Sequence, residues 1–185
     1  IFSADQGIAV GSHGLLGKQN LYDHSMKSPL VFAGPGIPHG KSDALVYLFD
    51  IFPTVCDLVG VKAPAEIDGK SFRPVLGGMT KTTRSELMLA YLGKQRAIRD
   101  DRWKLIRYPG VNVMQLFDLK TDPDEIKNLA AEPAHRDRIA DLIQRLATLQ
   151  KHFDDEQPLT IADPRPATAV TPEQLRRLAM PAIKK

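Results

Sequence analysis

Four polar side chains near the start of the chain have the types and spacing for chemistry. Asp5 and Gln6 stand side by side, and His13 and Lys18 follow in a run punctuated by Gly7, Gly11, Gly14 and Gly17. Adjacent carboxylate and amide oxygens suit a hard divalent cation such as Ca²⁺ or Mg²⁺, with further ligands drawn from elsewhere. A lysine on a glycine-rich loop can set its ammonium against an anionic oxygen as a point charge. A histidine on the same loop can donate a proton to a leaving alkoxide or bind the substrate. Each residue also has a plainer reading: a capping Asp beside a solvated Gln, a solvated loop lysine, a loop histidine with no chemistry. His24 and His39 stand in no constellation and read as structural or solvent-facing. Cys56, among Val55, Leu58 and Val59, reads as a packed thiol rather than a nucleophile.

The elements that must position these groups follow from hydrophobic patterning. Ile1 to Ala4 reads as the end of a buried strand, and the glycines after it as a loop, since glycine permits positive φ and close backbone approach. Leu21 to Lys27 can form a helical turn. Leu30-Val31-Phe32-Ala33 is a continuous apolar run, the pattern of a strand covered on both faces in a parallel α/β sheet. Ala44 to Leu48 is a short strand or buried connection. Asp50 is placed to cap a helix reaching about Val59, with Gly60 at its end, and Ser71 to Leu76 is a further turn.

The pattern then changes. Glu86–Leu92, Arg96–Arg99, Arg102–Tyr108 and Gln115–Leu119 read as short antiparallel strands, with Asp100-Asp101 as a hairpin turn. Trp103, Leu105 and Arg107 alternate with Lys104, Ile106 and Tyr108, which predicts a sheet with one covered face. Arg99, Asp101 and Arg107 are expected to form salt links around that hairpin. Pro133 opens a helix to about Gln150, with Ile139, Leu142, Ile143, Leu146 and Leu149 as its apolar stripe. From Asp154 the chain is proline-rich, and a last short helix is expected at Thr171 and Pro172 with Leu175 and Leu178.

Composition narrows the function. The 185 residues are 43% hydrophobic and 25% charged, ordinary for a globular chain of one domain or one and a part. The net charge of +3 is spread along the chain and mixed with acids, without the dense basic run of a nucleic-acid binder. No stretch approaches the ~18 apolar residues of a membrane span. One cysteine excludes an internal disulfide and a cysteine-based zinc site. The start inside a core-like strand, without Met, suggests a piece of a longer protein.

Taken together and in order, the motifs resemble a known family. Ser3-Ala4-Asp5-Gln6-Gly7, Gly11-Ser12-His13-Gly14, Gly17-Lys18, Tyr22-Asp23, Pro29-Leu30 and Gly34-Pro35-Gly36 are similar to the sulfatases of the alkaline-phosphatase-like superfamily. Asp50-Ile51-Phe52-Pro53-Thr54, Asp68-Gly69, Arg99 to Ile106, Leu116-Phe117-Asp118-Leu119, Asp122-Pro123, Glu125 and Asn128-Leu129 continue the likeness to about residue 150. The resemblance implies an α/β fold: the end of a sulfatase α/β core over residues 1–80, an antiparallel sheet-and-helix subdomain over 81–152, and a proline-rich tail over 153–185. It implies Asp5 as a ligand of an active-site Ca²⁺ and Gln6, where the family has Asn or His, as its neighbour ligand. Lys18 matches the lysine on the sulfate group, and His13 a histidine near the substrate.

One part of the family pattern is missing. Sulfatases carry an N-terminal C/S-x-P-x-R motif whose Cys or Ser becomes the formylglycine nucleophile. Cys56 is followed by Asp-Leu-Val-Gly and Ser71 by Phe-Arg-Pro, so neither fits. The N-terminal acidic pair that completes the metal site is absent as well. The expectation is therefore the C-terminal portion of a periplasmic or secreted hydrolase of sulfate esters or sulfated glycans, whose other half, on the same protein, holds the nucleophile. A phosphodiesterase or phosphonate hydrolase of the same superfamily, and a non-catalytic piece, are the alternatives.

Overall fold

The computed structural model describes residues 1–167. In chain order the elements are β1 (Phe2–Ser3), β2 (Ala9–Val10), β3 (Leu16–Gly17), α1 (Asp23–Met26), β4 (Leu30–Val31), α2 (Ile51–Leu58), α3 (Arg73–Leu76), β5 (Leu87–Tyr91), β6 (Gln95–Arg99), β7 (Trp103–Tyr108), β8 (Val113–Asp118) and α4 (Arg136–His152). The helix expected at Thr171 lies outside the described residues.

Strands β5 to β8 form one antiparallel meander in sequence order. The β6–β7 turn works without glycine because the Asp100 carboxylate accepts from the Arg102 and Trp103 amides at 3.0 and 2.7 Å, an Asx-type closure. One face of the sheet, through Met88, Ile98, Trp103, Leu105 and Leu116, packs on Leu129 and on Ile139, Leu142 and Leu146 of α4. The other face is covered too. Ala97, Ile106 and Phe117 pack against Leu21 and Tyr22 from the N-terminal segment. The alternation along β7 predicted one covered face. Both are covered because the second partner arrives from about eighty residues earlier in the chain and leaves no trace in local periodicity.

Two further expectations are corrected. Arg99, Asp101 and Arg107 do not pair with one another. Arg99 reaches Asp23 at 3.3 Å and Asp101 reaches Lys120 at 3.1 Å. Arg107 donates to the Leu159 carbonyl at 2.8 and 3.1 Å, tying the segment after α4 across the sheet. Asp50 does precede α2, but its carboxylate does not cap that helix. It is buried, accepts from the Tyr47 and Lys70 amides, and forms a bidentate pair with Arg84 at 2.9 and 2.5 Å. Such forked pairs fix geometry as well as charge.

The N-terminal segment is built differently. β1 pairs antiparallel with β4, and β2 with β3. These strands have two residues each, and apart from buried Ala9 and half-buried Leu30 their apolar side chains face outward: Phe2, Val10, Leu16 and Val31, with the flanking Ile1 and Ile8, are 53–77% exposed. The strands expected to be buried at Ile1–Ala4 and Leu30–Ala33 are thus only partly covered by the described residues, with Phe32 packed edge-on against Phe72. An apolar surface of that kind on a folded protein marks an interaction face.

Candidate functional site

The glycine-rich loop is fixed at both ends by backbone contacts. Gly7 donates its N–H to the Ser25 carbonyl at 2.9 Å. A Cβ at that position would lie 2.1 Å from the His24 carbonyl oxygen, so only glycine allows the approach. The hairpin of β2 and β3 then reverses the chain, with Ala9 opposite Gly17 and Val10 opposite Leu16. Gly17 has φ of 103°, a left-handed conformation that favours glycine. Lys18 therefore leaves the hairpin on the side where Ile8, and two residues before it Gln6, enter it.

Asp5 and Lys18 are exposed and Gln6 is half-buried. Among the described residues, no ion pair engages Asp5 or Lys18. This sets them apart from the charged groups of the sheet, most of which are paired. Their chemistry suits a hard cation and an anionic oxygen respectively. Their number does not complete a cation site: among the described residues, no group of three or more His, Cys, Asp or Glu side chains is placed to hold a metal ion. The donors present fit part of a Ca²⁺ shell, which takes about six to eight oxygens.

His13 sits at the tip of the loop in a left-handed conformation with φ of 55°. Its ring stacks on Tyr22 with centroids 4.0 Å apart and ring planes 12° apart. Its Nε2–H donates to the Glu125 carbonyl at 2.9 Å. A carbonyl only accepts, so the bond assigns the proton to Nε2. His24, which stood in no constellation by sequence, joins this stack. Its ring is 5.2 Å from His13 and 5.6 Å from Tyr22, and its buried Nε2 has no hydrogen-bond partner. Burial, with His13 and Lys104 nearby, holds the His24 pKa below the usual imidazole range.

Beneath the stack lies a charged knot that sequence reasoning missed. Lys104, fully buried on β7, contacts Asp23 Oδ1 at 2.8 Å and Glu125 Oε1 at 2.7 Å. The first is a hydrogen-bonded ion pair, the second a close ion pair without hydrogen-bond alignment. Glu125 Oε2 accepts from the Asp23 amide at 2.6 Å. Burial raises the Asp23 carboxyl, but Lys104 and Arg99 pull it further down, so it lies below its ordinary value. Burial also raises Glu125, and there Lys104 offsets only part of the effect, so it lies above. A lysine inside a strand pattern reads as a solvated residue. Its partners lie 81 and 21 positions away in sequence, and although Asp23 and Glu125 both stand in the family motifs, nothing local pairs them with it.

Comparison with known proteins defines the class first. The family described as N-sulphoglucosamine sulphohydrolase, C-terminal, matches residues 11–152. The chain belongs to that family, and its fold is the C-terminal part of the alkaline-phosphatase-like sulfatase architecture. Individual relatives are of the same kind. The Δ4,5-hexuronate-2-O-sulfatase of Bacteroides thetaiotaomicron is 33% identical over 182 residues, covering 89% of this chain and 37% of the relative. A protein solved in complex with its substrate D-glucosamine-2-N,6-O-disulfate superposes with a TM-score of 0.78 at 29% identity, covering 85% of this chain and 35% of its own. A phosphonate monoester hydrolase of Agrobacterium radiobacter superposes with a TM-score of 0.66 at 28% identity, covering 82% and 34%. The chain spans about a third of the length of the curated relatives it matches.

Proposed function

We propose that this chain carries the metal-side and sulfate-side residues of a sulfatase acting on sulfated sugars, and that the nucleophile lies in a further part of the same protein. The observation that carries the reading is the hairpin register, which returns Lys18 to the side where Asp5 and Gln6 enter the loop, all three open to solvent or half-buried. Asp5, with Gln6 beside it, would supply oxygen ligands to Ca²⁺ or Mg²⁺. When bound, that cation would supply positive charge to the sulfate oxygens and to a formylglycine nucleophile from outside this chain. Lys18 binds the sulfate as a point charge and steadies the negative charge that grows on the oxygens as the ester bond breaks. A sulfated glucosamine is the first substrate to try, because a neighbour of the same fold was solved with one. The exposed apolar face of β1 to β4 is where the remainder of the protein would pack.

The second reading is a phosphonate or phosphate ester hydrolase, favoured by the likeness to the Agrobacterium phosphonate monoester hydrolase. The two anions share their tetrahedral shape. The deciding experiment measures sulfate release from a sulfated glucosamine against cleavage of a phosphonate monoester by the full polypeptide that carries this chain. Turnover of the sulfate ester that is lost in Lys18→Ala supports the sulfatase reading. Preferential phosphonate cleavage replaces it with the second.

A further inference from the structure

The loop bearing Lys18 is attached to the C-terminal sheet at one point of unusual construction. His13 and Glu125 both adopt left-handed backbone conformations, with φ of 55° and 57°. Non-glycine residues adopt that region seldom, and the surrounding contacts must hold them there. Here the His13 Nε2–H donates to the Glu125 carbonyl at 2.9 Å, joining positions 112 residues apart. The Glu125 carboxylate is in turn fixed by buried Lys104 and by the Asp23 amide. Tyr22 completes the support: its ring backs the imidazole and its hydroxyl donates to Gln115 Oε1 of β8 at 2.9 Å. The Nε2–H of His13 is therefore occupied in holding the loop.

We propose that His13 and Glu125 are positioning residues, a latch through which the C-terminal sheet sets the placement of the Lys18 loop. His13 acts as the hydrogen-bond donor of the latch and Glu125 as its anchored acceptor. The link to turnover rests on the sulfatase reading; the latch itself does not. It assigns the Lys104–Glu125–Asp23 knot a purpose beyond stability, since a rigid acceptor is what keeps the loop tip in register.

The test uses His13→Phe, which keeps the stacking ring and removes the donor, and Glu125→Gln, which leaves Lys104 without its second carboxylate. Hydrogen exchange is read at the Gly11, Gly14 and Leu15 amides, each bonded within the loop, in the full polypeptide carrying this chain. Both variants should exchange there about five- to tenfold faster than the parent, for one hydrogen bond lost from a local opening, with the β6 and β7 amides unchanged in His13→Phe. The proposal fails if either variant leaves the loop amides unaltered. Turnover then separates positioning from proton donation. A latch lowers kcat by a similar factor, about tenfold, for 4-nitrophenyl sulfate and for a sugar sulfate. A loss confined to the sugar sulfate, the poorer leaving group, would make His13 a proton donor and overturn the positioning role. If the parent hydrolyses no sulfate ester, the sulfatase reading falls and hydrogen exchange alone decides the latch.

Discussion

The two parts of this molecule handle their side chains in opposite ways. Around the β5–β8 sheet both faces are covered, and charged groups are tied in pairs: Arg84 with Asp50, Arg96 with Asp155, Arg102 with Asp118, Arg145 with Glu86. Around the glycine-rich loop the strands are two residues long, apolar side chains face outward, and Asp5 and Lys18 stand unpaired among the described residues. A region built for its own stability satisfies its polar groups internally. A region that leaves them open has that capacity available for a substrate, a cation or another part of the protein. The sheet is thus the platform and the loop the working surface, joined through Tyr22, His13 and the buried Lys104.

This contrast can be broken by substitution, and the largest stability effect belongs to the platform. Lys104→Met removes the cation between Asp23 and Glu125, both largely buried. Breaking a buried ion pair from one side costs about 3–5 kcal/mol, so chemical denaturation should show a loss of that size. A change below about 1 kcal/mol would mean the two carboxylates find other partners. Leu142→Ala, at a fully buried α4 position against the sheet, should cost about 2–5 kcal/mol. Lys18→Ala should behave in the reverse manner. Its side chain is exposed and forms no ion pair among the described residues, so unfolding should shift by less than about 0.5 kcal/mol. Sulfate release by the full polypeptide should nevertheless fall about a hundred- to a thousandfold, the scale of one lost electrostatic stabiliser. Comparable losses of stability and turnover in this variant would erase the distinction between platform and working surface.

The smallest effect is a pH dependence of the platform. The Arg96 hydrogen bonds hold the Asp155 carboxyl down at about 2, against an ordinary 3.8. A depressed folded-state pKa stabilises above the unfolded value, and the stabilisation is lost as pH falls through the folded one. The Asp155 contribution should therefore be whole above about pH 4 and fade toward pH 2. Asp23 acts in the same direction. Glu125, raised by burial, acts in the opposite one: its contribution is present at low pH and declines as pH rises through its folded-state value. Acid titration of Asp155→Asn by circular dichroism should show a flatter loss of stability between pH 4 and 2 than the parent. An unchanged slope would remove the Arg96–Asp155 pair from the account.

Legibility from sequence follows the same division. The four sheet strands were readable within two residues and α4 within three, because their cores are local patterns: Ile139, Leu142 and Leu146 at helical spacing, and Leu105 and Ile106 between turn signals. Asp5, Gln6, His13 and Lys18 stood out in the sequence as site candidates because the order of glycines around them is distinctive. What could not be read was everything that depends on distant segments meeting. Lys104 looks like a surface lysine until Asp23 and Glu125 arrive. Arg107 looks like a salt-bridge residue until the Leu159 carbonyl reaches it. The second face of β7 looks exposed until Leu21 and Tyr22 cover it. The engagement of His13 by a backbone carbonyl leaves no mark on side-chain patterning.

The central claim is that this chain holds the sulfate-binding lysine of a sulfatase whose nucleophile lies elsewhere in the protein. Its most direct test is steady-state sulfate release by three samples assayed side by side: the full polypeptide, the same polypeptide with Lys18→Ala, and the 185-residue chain alone. The account predicts full turnover by the first, about a hundred- to a thousandfold less by the second, and none by the third. Sulfate release by the 185-residue chain alone, or undiminished release by Lys18→Ala, would contradict it.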